Sequence, residues 1–134
     1  SEYWIQALKA TFYPFKEKVT IINKKISNRN SRDELTIDTC LKNDAGSIFI
    51  KMDIEGYEKY ALNGANEILR RNADIRLACC SYHNQEEASI LTNHLQAMNY
   101  RTETSNGYIL FYHDHNFDPP FFRIGIVRAQ SKHL

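Results

Sequence analysis

The chain has 134 residues, enough for one domain with a sizeable core, and its formal net charge at pH 7 is +1. So small a charge gives no reason to expect a nucleic-acid partner, and no apolar run is long enough to span a membrane. Three cysteines without metal-ligand spacing favour free thiols in a reduced, cytoplasmic setting.

The first third of the chain predicts a helix, a strand and a loop. Apolar residues recur every three or four positions over residues 2–18, which is typical of an amphipathic helix, and Pro14 ends or kinks it. The β-branched run at residues 19–22 predicts a buried parallel strand. Residues 27–34 are a polar loop, and residues 35–41 fit either a short edge strand or a single helical turn.

The middle of the chain predicts strands and helices in alternation. Residues 48–52 and 75–81 are apolar enough for buried strands, and residues 86–98 are typical of an amphipathic helix. Residues 57–72 have a helical pattern that Gly64 interrupts. Glycine costs about 1 kcal/mol against alanine inside a helix, so we expect two short helices with a break at Gly64.

The last third of the chain predicts antiparallel strands. Residues 100–104 and 108–112 flank Asn106-Gly107, the dipeptide most typical of a tight hairpin, and residues 121–129 read as a last strand. The whole order predicts a single α/β domain over residues 1–134, whose sheet is mostly parallel with an antiparallel C-terminal edge.

Two carboxylates follow the predicted strand at residues 48–52, in the run Asp53-Ile54-Glu55-Gly56. Ligands of α/β sheets bind just outside the carboxyl ends of the strands. Asp53 could act as a general base, ligate a metal or bind an amino group of a cofactor. Glu55 would share its face if the strand continued, and Gly56 allows a tight turn. Alternatively, either carboxylate caps the next helix.

The next predicted strand ends in Tyr82-His83-Asn84. If the two strands are parallel neighbours, His83 lies beside Asp53, and the two could form an acid–base pair; the alternative is a surface or helix-capping histidine. Asp53 with His83 or Asn84 would also suit a divalent cation, but two or three ligands are few, so we predict no metal site. The run at residues 113–115, His-Asp-His, is a weaker metal candidate.

The motif at residues 51–65 resembles the signature of the FkbM-type methyltransferases. It reads Lys-x-Asp-x-Glu-Gly-x-Glu, then three residues, then Leu-x-Gly-Ala, and the likeness extends from about residue 19 to the C-terminus. The resemblance implies a partial Rossmann-like class I methyltransferase sheet and S-adenosylmethionine as cofactor. It also implies O-methylation of a hydroxyl group on a glycan, a lipid or a small metabolite, with Asp53, His83 and Glu55 as candidate catalytic residues.

The resemblance also implies where the cofactor lies. Ile26 and Ser27 would lie near the adenine, and Asp53 would complete the cofactor-binding set. The chain lacks the glycine-rich turn of the family, so we expect the first two strands of the family's sheet to be missing. The chain is then the C-terminal part of a methyltransferase domain, with activity of the isolated chain left open.

Two other functions stay open on the sequence. The first is a non-catalytic α/β module that forms a homo-oligomer through an exposed sheet edge, since an unpaired edge is a template for pairing. The second is a metal-dependent hydrolase that uses Asp53, Glu55 and His83.

Overall fold

The chain folds as helices and strands in alternation in the computed structural model, which describes residues 2–71, 74–110 and 121–132. The elements in chain order are α1 (Glu2–Thr11), a 3-10 helix (Tyr13–Phe15), β1 (Lys25–Ile26), β2 (Glu34–Leu35), α2 (Ile37–Cys40), β3 (Ile48–Met52), α3 (Glu58–Asn63), α4 (Asn66–Arg71), β4 (Ile75–Cys80), α5 (Glu87–Ala97), β5 (Tyr100–Thr104), β6 (Ile109–Leu110), β7 (Phe122–Arg123) and β8 (Ile126–Ser131).

A four-stranded sheet in the order β3–β4–β8–β5 forms the centre of the structure. β3 and β4 pair in parallel, and β8 runs antiparallel to both β4 and β5. Three of the four strands therefore run in one direction, and the antiparallel strand lies towards the C-terminal edge. The predicted α/β sheet is confirmed, and β1–β2 and β6–β7 form two small separate ladders.

One face of the sheet carries the hydrophobic core. Alternate residues of β3, β4 and β8 point to this face, as the period of a strand requires. The helices α3, α4 and α5 contribute their apolar sides to the same core. The central buried side chains are Met52, Leu62, Ile68, Ile75, Leu77, Leu91, Leu95, Tyr100 and Val127.

The break at Gly64 is confirmed, since α3 ends at Asn63 and α4 begins at Asn66. A side chain from another helix caps the new helix. The Asp38 carboxylate accepts hydrogen bonds from the backbone N–H groups of Glu67 and Ile68 at 3.1 and 2.8 Å. Residues 35–41 contain both of the alternatives, the end of a short strand and the single helical turn α2.

Two predictions about the outer elements are wrong, and a third is confirmed in part. Residues 19–22 form no strand, because no neighbouring strand in the described part of the chain offers them hydrogen bonds. The interruption at Pro14 is confirmed, since the first helix ends at Thr11 and a 3-10 turn contains Pro14, but the helix does not extend to residue 18. β5 pairs with β8 instead of forming a hairpin with β6, which pairs with β7; residues 111 and 112 lie outside the described residues.

The cysteines are free, as expected, with Cys79 and Cys80 buried and Cys40 partly buried. No helix in the described part of the chain combines the length and the apolar character needed to cross a bilayer. The predicted weak metal candidate at residues 113–115 lies outside the described residues.

Candidate functional site

Two turns meet at the carboxyl ends of β3 and β4. The parallel register pairs Met52 with Cys79, so the chain leaves both strands at the same edge of the sheet. His83 Nε2 lies 3.5 Å from Asp53 Oδ1 and 3.6 Å from Glu55 Oε2. The His83 imidazole therefore contacts both of the other candidate catalytic residues named from the sequence.

The turn after β3 departs from the expected backbone. The strand ends at Met52, so Asp53 and Glu55 do not share a face of a continued strand. Glu55 instead adopts the left-handed conformation with φ of 57°, followed by Gly56 at 85°, which is costly for a residue with a side chain. A Cβ atom on Gly56 would lie 2.7 Å from Asn84 Nδ2, so glycine lets the two turns touch.

Neither Asp53 nor Glu55 caps the following helix, α3. The N-cap residue of α3 is Tyr57, and no side-chain hydrogen bond caps the helix there. Asp53 and Glu55 are therefore not explained by the capping alternative.

Two further carboxylates lie on the inner side of the imidazole. His83 Nδ1 is 3.7 Å from Glu58 Oε1 and 3.6 Å from Glu87 Oε2, and both glutamates are almost fully buried. Glu58 Oε1 accepts a hydrogen bond from the Ile54 N–H at 2.8 Å, and Glu87 Oε2 accepts one from the His83 N–H at 3.1 Å. Each buried carboxylate thus closes one of the two turns.

The two inner glutamates also contact each other. Burial raises the pKa of Glu87, and the adjacent Glu58 carboxyl raises it further. Two buried carboxylates in contact cannot both be ionised at low cost, since each would face the other's charge. Glu87 therefore keeps its proton to a higher pH than an exposed glutamate does.

Asp53 has the opposite electrostatic setting. Burial acts to raise the pKa of Asp53, but a 3.0 Å hydrogen bond from Tyr82 Oη and the nearby Lys51 ammonium outweigh it and lower the pKa. The Lys51 Nζ is 3.5 Å from Asp53 Oδ2. Burial and the bond to Asp53 raise the pKa of Tyr82 to about 12. Asp53 is therefore an anion near neutral pH, and Tyr82 keeps its proton.

The segment before β8 fixes the turn that carries His83. Arg123 Nη1 donates to the carbonyl oxygens of Tyr82 and His83 at 2.8 and 3.0 Å. Ser81 Oγ donates to the Ile124 carbonyl at 2.9 Å. These contacts join residues 40 or more positions apart, so no local sequence pattern could have identified Arg123 as part of the site.

The two residues predicted to lie near the adenine border the same region. Ile26 is half-buried at the end of β1, and Ser27 follows it with 6% exposure. Ile26 lines an apolar cavity of about 310 Å³ together with Met52 and Ile54. The cavity thus joins the Ile26–Ser27 segment to the turn that contains Asp53.

A cation could be held by a different set of residues from the one considered on the sequence. Ligand atoms of Asp53, Glu58 and His83 all lie within 4.8 Å of one another. Glu58 takes the place that the hydrolase hypothesis gave to Glu55. Its presence in the motif at residues 51–65 was the available signal, whereas Glu87 gave none beyond its i+4 spacing from His83.

Comparisons with known proteins give the family. The family model described as the methyltransferase FkbM domain matches residues 9–110. No curated protein matches the chain.

A solved structure shares the fold. The crystal structure of methyltransferase FkbM from Methylobacillus flagellatus KT superimposes with a TM-score of 0.69 at 23% identity, over 94% of this chain. The chain spans 33% of the length of that protein. Because the family model matches most of the sequence, the chain belongs to the FkbM methyltransferase domain family.

Proposed function

We propose that the chain is the C-terminal part of an S-adenosylmethionine-dependent O-methyltransferase domain. The observation that carries the proposal is the set of four carboxylates around the His83 imidazole, at the end of the sheet where α/β proteins bind ligands. Family membership supports methyl transfer as the reaction. The acceptor is a hydroxyl group of a glycan, a lipid or a small metabolite, and the free thiols fit a cytoplasmic setting.

His83 is the base in this proposal. A hydroxyl acceptor loses its proton as its oxygen attacks a methyl group, and a positioned histidine is the side chain most often used for such a step. Asp53 is a poorer base because its pKa is lowered. It orients the imidazole instead, while Glu55, whose side chain is 87% exposed, stands at the rim where the acceptor would enter.

We assign one side of the cofactor to the described residues. S-adenosylmethionine, when bound, supplies the electrophilic methyl group. Ile26 and Ser27 would contact the adenine beside the apolar cavity, and the ionised Asp53 would bind the cofactor's amino group. The sequence has no glycine-rich turn for the rest of the cofactor, so we assign that contact to polypeptide outside this chain.

Calorimetric titration with S-adenosylhomocysteine tests the proposal. The titration uses this chain and the same chain joined to the glycine-rich half of a family member. We expect Asp53→Asn to weaken binding at least about tenfold, since a charge-assisted hydrogen bond is lost, while the exposed Asp44→Asn leaves it unchanged. Binding by neither protein would overturn the proposal.

A non-catalytic assembly module is the second candidate, and one observation favours it. β3 is an edge strand that pairs only with β4 within the described residues, and Phe49 on it is 68% exposed. Light scattering on the purified chain separates the two functions. A stable monomer over a wide concentration range contradicts assembly through this edge.

A further inference from the structure

The second face of the four-stranded sheet is basic. The side chains that point away from the core include three exposed arginines, one on each of β4, β5 and β8: Arg76, Arg101 and Arg128. They line an open cavity of about 400 Å³ with Phe49 and Glu103. In α/β folds a sheet of this kind is covered by helices on both faces.

The strand register arranges these side chains in two rows across the sheet. The first row contains Phe49, Arg76, Gln130 and Arg101, which are successive register partners. The second row contains Lys51, Ala78, Arg128 and Glu103. Adjacent strands are about 4.8 Å apart, so four cations and one carboxylate share a surface roughly three strand spacings wide.

Lys51 pairs with Asp53, but the three arginine charges of this face are not balanced within the described part of the chain. None of the three arginines forms an ion pair there, although Glu103 is the register partner of Arg128. The small side chain of Ala78 lies between Lys51 and Arg128 in the second row and leaves space above the sheet. The exposed arginine charges keep their hydration only while the face stays open, so an occupant must supply carboxylates to replace that hydration.

An acidic helix fits this surface better than a phosphate group does. The backbone N–H groups of β4 and β8 are engaged in the ladders, so they cannot form the amide cradle that binds phosphate. The open cavity is lined by residues of all four strands, from Phe49 on the edge strand β3 to Arg101 on β5, and the Phe49 ring is exposed. A helix with carboxylates at i, i+4 and i+7 and an apolar residue between them matches both features.

We propose that an acidic amphipathic helix, carried by the polypeptide that completes the methyltransferase domain, packs on this open face through Arg76, Arg101 and Arg128. The inference rests on the proposed function, in which the chain is one part of a longer domain. This chain spans 33% of the solved structure that shares its fold.

Titration with a synthetic helical peptide that carries this Glu pattern tests the proposal by ¹⁵N chemical-shift mapping. We expect saturable binding with shifts on β4, β5 and β8, and a loss of at least about tenfold in affinity for the double variant Arg76→Glu/Arg128→Glu. Arg70→Glu on α4, an exposed arginine of the other layer, is the matched control and keeps the affinity. Higher salt weakens binding, since exposed charges are screened.

Three outcomes would overturn the proposal: no saturable binding, equal binding of a peptide with Lys in place of Glu, or tighter binding of inorganic pyrophosphate than of the acidic peptide. The titration needs no cofactor. Loss of S-adenosylhomocysteine binding with intact peptide binding would therefore contradict the proposed methyltransferase activity alone.

Discussion

The motif at residues 51–65 has two halves, and they affect the stability of the fold in opposite ways. Residues 62–65, the packing half, are mostly buried: Leu62 and Ala65 have no exposed surface, and Gly64 lies against the Ser27 backbone. Residues 53–58, the site half, contain a left-handed glutamate and the buried carboxylate of Glu58. One short motif therefore combines residues that stabilise the fold with residues that are costly to it, which is common at functional sites.

The largest effect is expected in the packing half, from Gly64→Ala. A Cβ atom there would overlap the Ser27 carbonyl oxygen and approach Asn28 Cα to 3.2 Å. Backbone atoms cannot move aside as a flexible side chain can, so we expect a loss of about 2 kcal/mol in the free energy of unfolding. Urea denaturation measures it.

Gly46→Ala is the matched control, because its Cβ atom would meet no other atom within 4 Å. We expect that variant to stay within about 0.5 kcal/mol of the wild type. Equal stability of the two variants would contradict the close approach of Gly64 to Ser27.

The second-largest effect on stability is expected from Glu87, which contacts Glu58 of the site half. Burial and the Glu58 carboxyl raise its folded pKa above 4.5, and His83 faces the same group. The folded state then keeps a proton that the unfolded state has already released. This contribution to stability is complete below pH 4.5 and is lost as the pH rises through the raised pKa.

Glu87→Gln removes this loss. A glutamine keeps an acceptor oxygen for the His83 N–H and offers an amide proton to Glu58, so we expect the variant to be more stable than the wild type at about pH 8 and the difference to close towards about pH 4. Urea denaturation across this range measures it. Glu86→Gln, at the exposed neighbouring position, should leave the pH dependence unchanged; the same response from both variants would refute the raised pKa of Glu87 as its cause.

Local patterns predicted the elements that bury an apolar side. β3, β4 and α5 lie where their periodicity placed them, within one residue at each end. The strand at residues 19–22 failed because β-branched residues favour a strand only where a neighbour supplies hydrogen bonds. The Asn106-Gly107 hairpin failed because β8, more than 20 positions away, pairs with β5 instead.

The candidate site was predictable only in its outer part. Asp53, Glu55 and His83 directly follow strands, and the topology of a parallel pair brings such residues together. Glu58, Glu87 and Arg123 reach the same imidazole or its turn from α3, α5 and β7. Their arrangement depends on tertiary packing, which no spacing along the chain records.

The smallest effect on stability is expected at Glu55, where backbone strain can be distinguished from a catalytic role of the carboxylate. Glu55 has φ of 57°, and a left-handed residue with a Cβ costs about 1 kcal/mol. Glu55→Gly should therefore raise the free energy of unfolding by just under about 1 kcal/mol, because the greater flexibility of unfolded glycine offsets part of the gain. Glu55→Gln keeps the strained backbone and should leave stability unchanged. Asn99→Gly, at φ of 65°, gains less because asparagine tolerates this conformation.

The pair of Glu55 variants then tests why the strain persists. If the carboxylate beside His83 is required for methyl transfer, the glycine and glutamine variants lose turnover equally although only the glycine variant is stabilised. If the glutamine variant keeps full turnover, the charge is dispensable, and the left-handed glutamate has no catalytic explanation. Both quantities are measured on the chain joined to a glycine-rich half of a family member. Urea denaturation gives the stability of each variant, and a methyl-transfer assay gives its turnover.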